Sequence, residues 1–191
     1  MKAIILGSRS GIGSKLKARW ISSSHTVIGL NRPDYDLADE LTMIAAAQKI
    51  TEEAPDVFVL NSFNHKGKEQ QLRALEIIWP RVKHLSLTFV AVGSISAHFD
   101  QHRPKVVDYA AAKKAFCLRA MQLGWKRMDD PIRQARMILY DPGSFINIKE
   151  EGILKDTNST FLSYDEGFTM LEKVMELKLP LIRISGIGTE P

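Results

Sequence analysis

The feature that most restricts this chain is a glycine loop placed at its first change of periodicity. Lys2 to Leu6 is a short apolar run, and Gly7-Ser8-Arg9-Ser10-Gly11-Ile12-Gly13 follows at once. Ile12 to Ile21 then carries a helical apolar pattern with Trp20 near its end. A strand that ends in glycines and feeds a helix leaves unpaired backbone amides at the helix N-terminus. A dinucleotide pyrophosphate needs that arrangement: glycines permit the tight turn, and no side chain blocks the approach of the ligand. The same loop without a ligand would be an ordinary turn. Its position at the first strand–helix junction of an alternating chain favours the ligand site.

The alternation continues. His25 to Leu30, Asp56 to Leu60, Ser86 to Val92, Arg136 to Tyr140 and Leu181 to Ser185 read as further strands. Ala38 to Glu53, Glu69 to His84, Asp108 to Met128 and Tyr164 to Leu177 read as helices. Pro55 ends the second helix, and Pro80 is expected to kink or break the third. Strands that alternate with helices and are apolar throughout predict an α/β fold of Rossmann type. In that fold a doubly wound parallel β-sheet has helices on both faces and right-handed crossovers. No linker or repeat interrupts the pattern, so a single NAD(P)-binding domain over 1–191 is expected.

Composition excludes several classes of function. The opening apolar run is too short to target or span a membrane, so no membrane association is expected. Lys and Arg outnumber Asp and Glu by 26 to 22, but they are scattered without a dense basic run, and no nucleic-acid partner is expected. Cys117 is the only cysteine, which rules out an intramolecular disulfide and a cysteine-based metal cage. The histidines His98 and His102 have no carboxylate cluster of ligand spacing near them, and no metal is expected. A reducing, cytoplasmic location fits these features.

A second group of residues follows the glycine loop in a telling order. The run Phe89-Val90-Ala91-Val92 leads into Gly93-Ser94, and Tyr109-Ala110-Ala111-Ala112-Lys113 begins the longest helical segment. Tyr and Lys four positions apart share one helical face and can reach the same ligand. By itself this spacing more often marks a solvated helix face. The Gly-x-x-x-Gly-x-Gly loop, the strand-end serine and the Tyr-x-x-x-Lys pair, in that order, resemble the short-chain dehydrogenase/reductase family, in blocks spread over nearly the whole chain.

That resemblance implies a catalytic set of Ser94, Tyr109 and Lys113. Tyr109 exchanges a proton with a carbonyl or alcohol oxygen as hydride moves, and Ser94 holds that oxygen against it. Bringing a phenol from pKa ~10 to ~7 takes about 4 kcal/mol of differential stabilisation, which Lys113 is expected to help supply. The resemblance also implies cofactor contacts by Gly7, Ser8, Arg9, Ser10, Gly11, Ile12 and Gly13. Asn61 and Ser62 join them because Asp56 to Ser62 is similar to the family's fourth-strand segment, with Leu60 in place of its first asparagine. Pro142 and Gly143 match the turn that faces the nicotinamide carboxamide. Asp36, on an expected short third strand, would meet the adenine edge.

The tip of the second strand bears on the choice of cofactor. Leu30-Asn31-Arg32 offers no acid for the ribose hydroxyls, and Arg32 with Arg9 can clamp a 2′-phosphate. Asn31 and Arg32 are therefore expected at the cofactor, with NADP(H) preferred and NAD(H) as the alternative. Ser96, His98 and Phe99, between Ser94 and Tyr109, are expected to line the pocket of a small-molecule carbonyl or alcohol substrate.

The chain departs from the family in being short. It lacks the helix between the family's second and third strands, and its substrate lid is reduced to about 144–163. Asn64 is the nearest counterpart of the helix-four asparagine. A homodimer or homotetramer through the helices at about 69–84 and 108–128 is implied by the resemblance. Two further readings stay open: a catalytically weak dinucleotide-binding regulator or redox sensor, and a relative of sugar-nucleotide reductases, suggested by Asp34-Tyr35-Asp36-Leu37.

Overall fold

The structure, a computed structural model, describes residues 1–64, 66–94, 97, 104–125, 135–142, 164–177, 179 and 181–185. Its strands are β1 (Lys2–Leu6), β2 (Thr26–Leu30), β3 (Val57–Leu60), β4 (Thr88–Val92), β5 (Arg136–Asp141) and β6 (Leu181–Ser185). They form one six-stranded sheet in the order β2-β1-β3-β4-β5-β6. Every neighbouring pair is parallel. The helices are α1 (Gly11–Ser22), α2 (Glu40–Glu53), α3 (Gln70–Val82), α4 (Pro104–Trp125) and α5 (Tyr164–Glu176).

The continuous apolar runs of the strands are explained by burial on both faces, with successive side chains going to opposite layers. Ile4, Leu6, Phe58, Leu60, Phe89 and Leu139 face a core completed by residues of α2, α3 and α4. Ala3, Ile5, Val59, Val90 and Ile138 face the other core, closed by Leu16 and Trp20 of α1 and by Phe168 and Leu171 of α5. Arg19 ties these two helices together, with its guanidinium on both oxygens of Glu172 at 2.9 and 2.7 Å.

Local chemistry sets the helix ends. Asp39 caps α2 by accepting from the Leu41 amide. Ala54 then turns left-handed at φ 43° ahead of Pro55, and the helix stops there. Pro80 does not break α3, which runs on to Val82. Lying near the C-terminal end, it removes only one ladder donor.

The expected short strand at Asp36 is absent. The chain turns there instead, because Pro33 has no amide to offer a ladder and the Asp36 carboxylate accepts from the Ala38 amide at 3.0 Å. β2 is accordingly an edge strand. The chain leaves β1 for β2 on one side and returns to β3 on the other. The crevice beyond the carboxyl ends of β1 and β3 is thus the topological switch point, where ligands of such sheets bind.

Candidate functional site

A cleft of about 650 Å³ opens at this switch point. One wall is the glycine loop. Gly7 has φ +90°, and a Cβ there would come within 2.4 Å of Ser62 Oγ. Gly13 is needed for packing: its Cβ would fall 2.1 Å from the Gly7 carbonyl oxygen and 2.6 Å from Asn61 Nδ2. Asn61 Nδ2 itself donates to the Gly7 carbonyl at 2.9 Å, joining the end of β3 to the loop. Gly11, at φ +54°, has nothing within 4 Å of its Cβ position and lines the cleft.

At the first turn of α1, Ser10 makes no side-chain cap bond, and no acidic residue is present. The helix therefore presents its positive end to the cleft without a resident carboxylate, which fits a bound pyrophosphate. The β2 tip lies alongside. Asn31 Oδ1 accepts from the Ser8 amide at 2.9 Å, and Asn31 Nδ2 donates to Ser8 Oγ at 3.0 Å. Arg9 Nη1 donates to the Arg32 carbonyl at 2.6 Å, so the two exposed arginines border the same end of the cleft.

The opposite wall carries the second group of residues. Tyr109 and Lys113 line the cleft one turn apart on α4, and Tyr109 shares a side-chain hydrogen bond with Ser94 just past β4. Lys113 is 3% exposed, and its ammonium is held inside the wall. It donates to Gln71 Oε1 at 2.7 Å and to the Val92 carbonyl at 3.2 Å, and it lies 4.8 Å from the centroid of the Phe63 ring. Burial brings its pKa down to about 8, while Cys117 and Asp141 pull it upward. Burial also raises Tyr109, and the bond from Ser94 pulls it down. Lys113 Nζ also lies 5.9 Å from the centroid of the Tyr109 ring.

Most of the expected residues meet at this cleft. Gly7, Arg9, Ser10, Gly11 and Ile12 line it, as do Asn31, Arg32, Asp36, Asn61 and Ser62. Ser8, Gly13, Ser94 and Pro142 do not line it. Ser8 and Ser94 are buried, at 4% and 8% exposure, the first against Asn31 and the second against Tyr109. Gly143, Ser96, His98, Phe99 and the lid at 144–163 lie outside the described residues. Asn64 lines the cleft from a loop ahead of α3, and its Nδ2 donates to Gln70 Oε1 at 2.8 Å.

Sequence reasoning missed Gln71 and Phe63. Gln71 is 1% exposed and bridges Lys113 and the Val92 carbonyl, to which its Nε2 donates at 3.0 Å. The signal was present: Gln71, Ala74, Leu75 and Ile78 follow the apolar stripe of α3, and a polar residue on such a stripe needs a buried partner. Phe63 packs edge-on to Tyr109 with centroids 5.0 Å apart, and only its place directly after Ser62 pointed to it.

No family model and no curated protein matches the sequence. Solved structures do match the fold. The 3-alpha-hydroxysteroid dehydrogenase from Pseudomonas sp. B-0831, complexed with NADH, is 17% identical with a TM-score of 0.71, covering 97% of this chain and 96% of that one. A short chain dehydrogenase from Burkholderia cenocepacia in complex with NADP is 16% identical, with 96% of both chains covered and a TM-score of 0.72. The 3-ketoacyl-(acyl-carrier-protein) reductase from Brucella melitensis, complexed with NADH, is 14% identical, with 97% of this chain and 96% of that one covered and a TM-score of 0.68. The chain has the fold of the short-chain dehydrogenases/reductases.

Proposed function

We propose that the protein is an NADP(H)-dependent oxidoreductase that moves hydride between a nicotinamide and a small carbonyl or alcohol. The observation that carries this reading is the convergence of two walls on one cleft: a glycine loop with an uncapped helix end, and Tyr109 with Lys113, the tyrosine bonded to the buried Ser94 behind it. The fold, and neighbours of that fold complexed with NADH or NADP, support it.

The loop amides and the α1 N-terminus would hold the pyrophosphate, and Arg9 and Arg32 a 2′-phosphate. When bound, the dinucleotide supplies the hydride in reduction and accepts it in oxidation. Ser94 Oγ donates a hydrogen bond to the substrate oxygen, and the Tyr109 phenol gives that oxygen its proton, so the carbonyl becomes an alcohol. A phenol raised by burial is protonated at neutral pH, which suits the reductive direction.

Loss of NADPH absorbance across a panel of ketones, β-ketoesters and quinones tests the reading, with Tyr109→Phe in parallel. Turnover is expected in the parent and should fall by about 10²- to 10⁴-fold in the variant. Tight NADPH binding without turnover on any substrate would instead support a dinucleotide-binding regulator. The retention of Lys113 on Gln71 and Val92 is the observation that favours that second reading.

The same reading takes the protein as a cytoplasmic homo-oligomer. Val107, Leu118 and Trp125 leave apolar side chains exposed along α4, at 45%, 52% and 68%. Light scattering of the parent against Trp125→Glu tests this: an oligomer in the first and a monomer in the second is the expected result.

A further inference from the structure

Behind the catalytic wall lies a buried polar cluster that the proposed reaction does not use. Asp141, at the end of β5, is 0% exposed, and its Oδ2 accepts from Arg183 Nε on β6 at 3.0 Å. Its Oδ1 accepts from the Cys117 thiol at 3.2 Å. Cys117 stands one helical turn beyond Lys113 on α4, and its sulfur accepts from the Ser94 backbone amide. The neighbouring glycine shows how tight the assembly is. A Cβ on Gly93 would fall 2.0 Å from Asp141 Oδ1 and 2.6 Å from Cys117 Sγ. The Gly93 amide, in turn, is bonded to the Tyr140 carbonyl at 2.8 Å.

We propose that Arg183, Asp141 and Cys117 form a strut that fixes the backbone of Ser94, and that Cys117 and Asp141 are positioning residues for its hydroxyl. Each link runs from donor to acceptor with the chemistry its position needs. A carboxylate buried beside a strand end requires donors, and the guanidinium and the thiol supply them. The thiol stays protonated as a donor, since burial and the adjacent carboxylate push it up to about 12. Its sulfur then takes the Ser94 amide, which lies two residues beyond the last ladder residue of β4. With the amide held, the Ser94 side chain is presented to Tyr109. An error of about 1 Å in such placement can cost about a hundredfold in rate.

The role of Ser94 in the reaction rests on the function proposed above, whereas the strut itself can be read without turnover. In the full chain, Cys117→Ala should speed hydrogen exchange at the Ser94 amide by about tenfold or more while the β4 amides keep their protection. Cys117→Ser should restore most of that protection. Where NADPH-dependent turnover is present, Cys117→Ala should lower kcat by about tenfold and leave the NADPH Kd and the substrate KM within about twofold. Added to Ser94→Ala, it should change kcat by less than about twofold, because the hydroxyl it positions is gone.

Unchanged exchange at Ser94 in Cys117→Ala would overturn the strut, and so would full additivity with Ser94→Ala. If Cys117→Ala does not fold, the near-isosteric Asp141→Asn takes its place under the same two criteria. Absence of turnover in the parent protein would sink the proposed function alone, and the exchange result would still decide the strut.

Discussion

At the glycine-loop end of the cleft, the groups that face a ligand are backbone amides and two exposed arginines, Arg9 and Arg32. At the Tyr109 end Tyr109 and Lys113 line the cleft, backed by a layer of polar side chains in which Ser94, Gln71 and Asp141 are buried. The first end depends on conformation: the turn must take the right φ values, and nothing may stand in the way. The second depends on mutual satisfaction, since each buried polar group needs the next. Mutations should therefore fail for different reasons at the two ends, sterically at one and by stranded polarity at the other.

The sharpest break of this comparison is at Gly13. Gly13→Val would drive a side chain into the Gly7 carbonyl, where even a Cβ sits at 2.1 Å. Displacing the loop should cost roughly 3 kcal/mol, or more than about a hundredfold in NADPH affinity by calorimetry. Gly11→Ala is the control. It has open space and only its φ of +54° to penalise it, so a loss of about 1 kcal/mol is expected. Equal effects at the two glycines would remove the steric account. At the other end, Gln71→Leu leaves the Lys113 ammonium without its 2.7 Å acceptor. Denaturant unfolding should show about 2 kcal/mol of lost stability, with NADPH affinity little changed.

A smaller effect tests the exposed arginines. Arg32→Glu should move the ratio of NADPH to NADH affinity by about tenfold toward NADH, because a 2′-phosphate would lose a charge-assisted partner and gain a repulsion. An unchanged ratio would mean that Arg32 is only a loop charge whose carbonyl holds Arg9.

The same division explains what the sequence disclosed. The sheet was legible because strands buried on both faces are apolar throughout and separated by helical patterns, and the glycine loop because φ and close packing admit few other residues. Ser94, Tyr109 and Lys113 were legible only through their order along the chain. Gln71 and Asp141 were not singled out, since their work lies in partners brought from distant elements, Lys113 from α4 and Arg183 from β6. The strand that the resemblance implied at Asp36 failed for a local reason: Pro33 and the Asp36–Ala38 bond organise a turn.

The smallest predicted effect concerns the state of Lys113, and it distinguishes the two ends by pH. Its pKa falls from 10.5 to about 8 because the ammonium is buried. Between those values the unfolded chain binds the proton and the folded chain has released it. Stability therefore rises with pH across that window and is flat below it, where both states are protonated. For these two pKa values the gain from pH 8 to pH 9 is about 1 kcal/mol. Lys113→Met removes the titrating group, so the stability of the parent relative to this variant should climb by that amount over the same step. Arg32→Glu, at the exposed end, should show no comparable change relative to the parent. A flat difference between parent and Lys113→Met would mean that water reaches the ammonium, and the contrast between an open glycine-loop end and a closed Tyr109 end would then have to be abandoned.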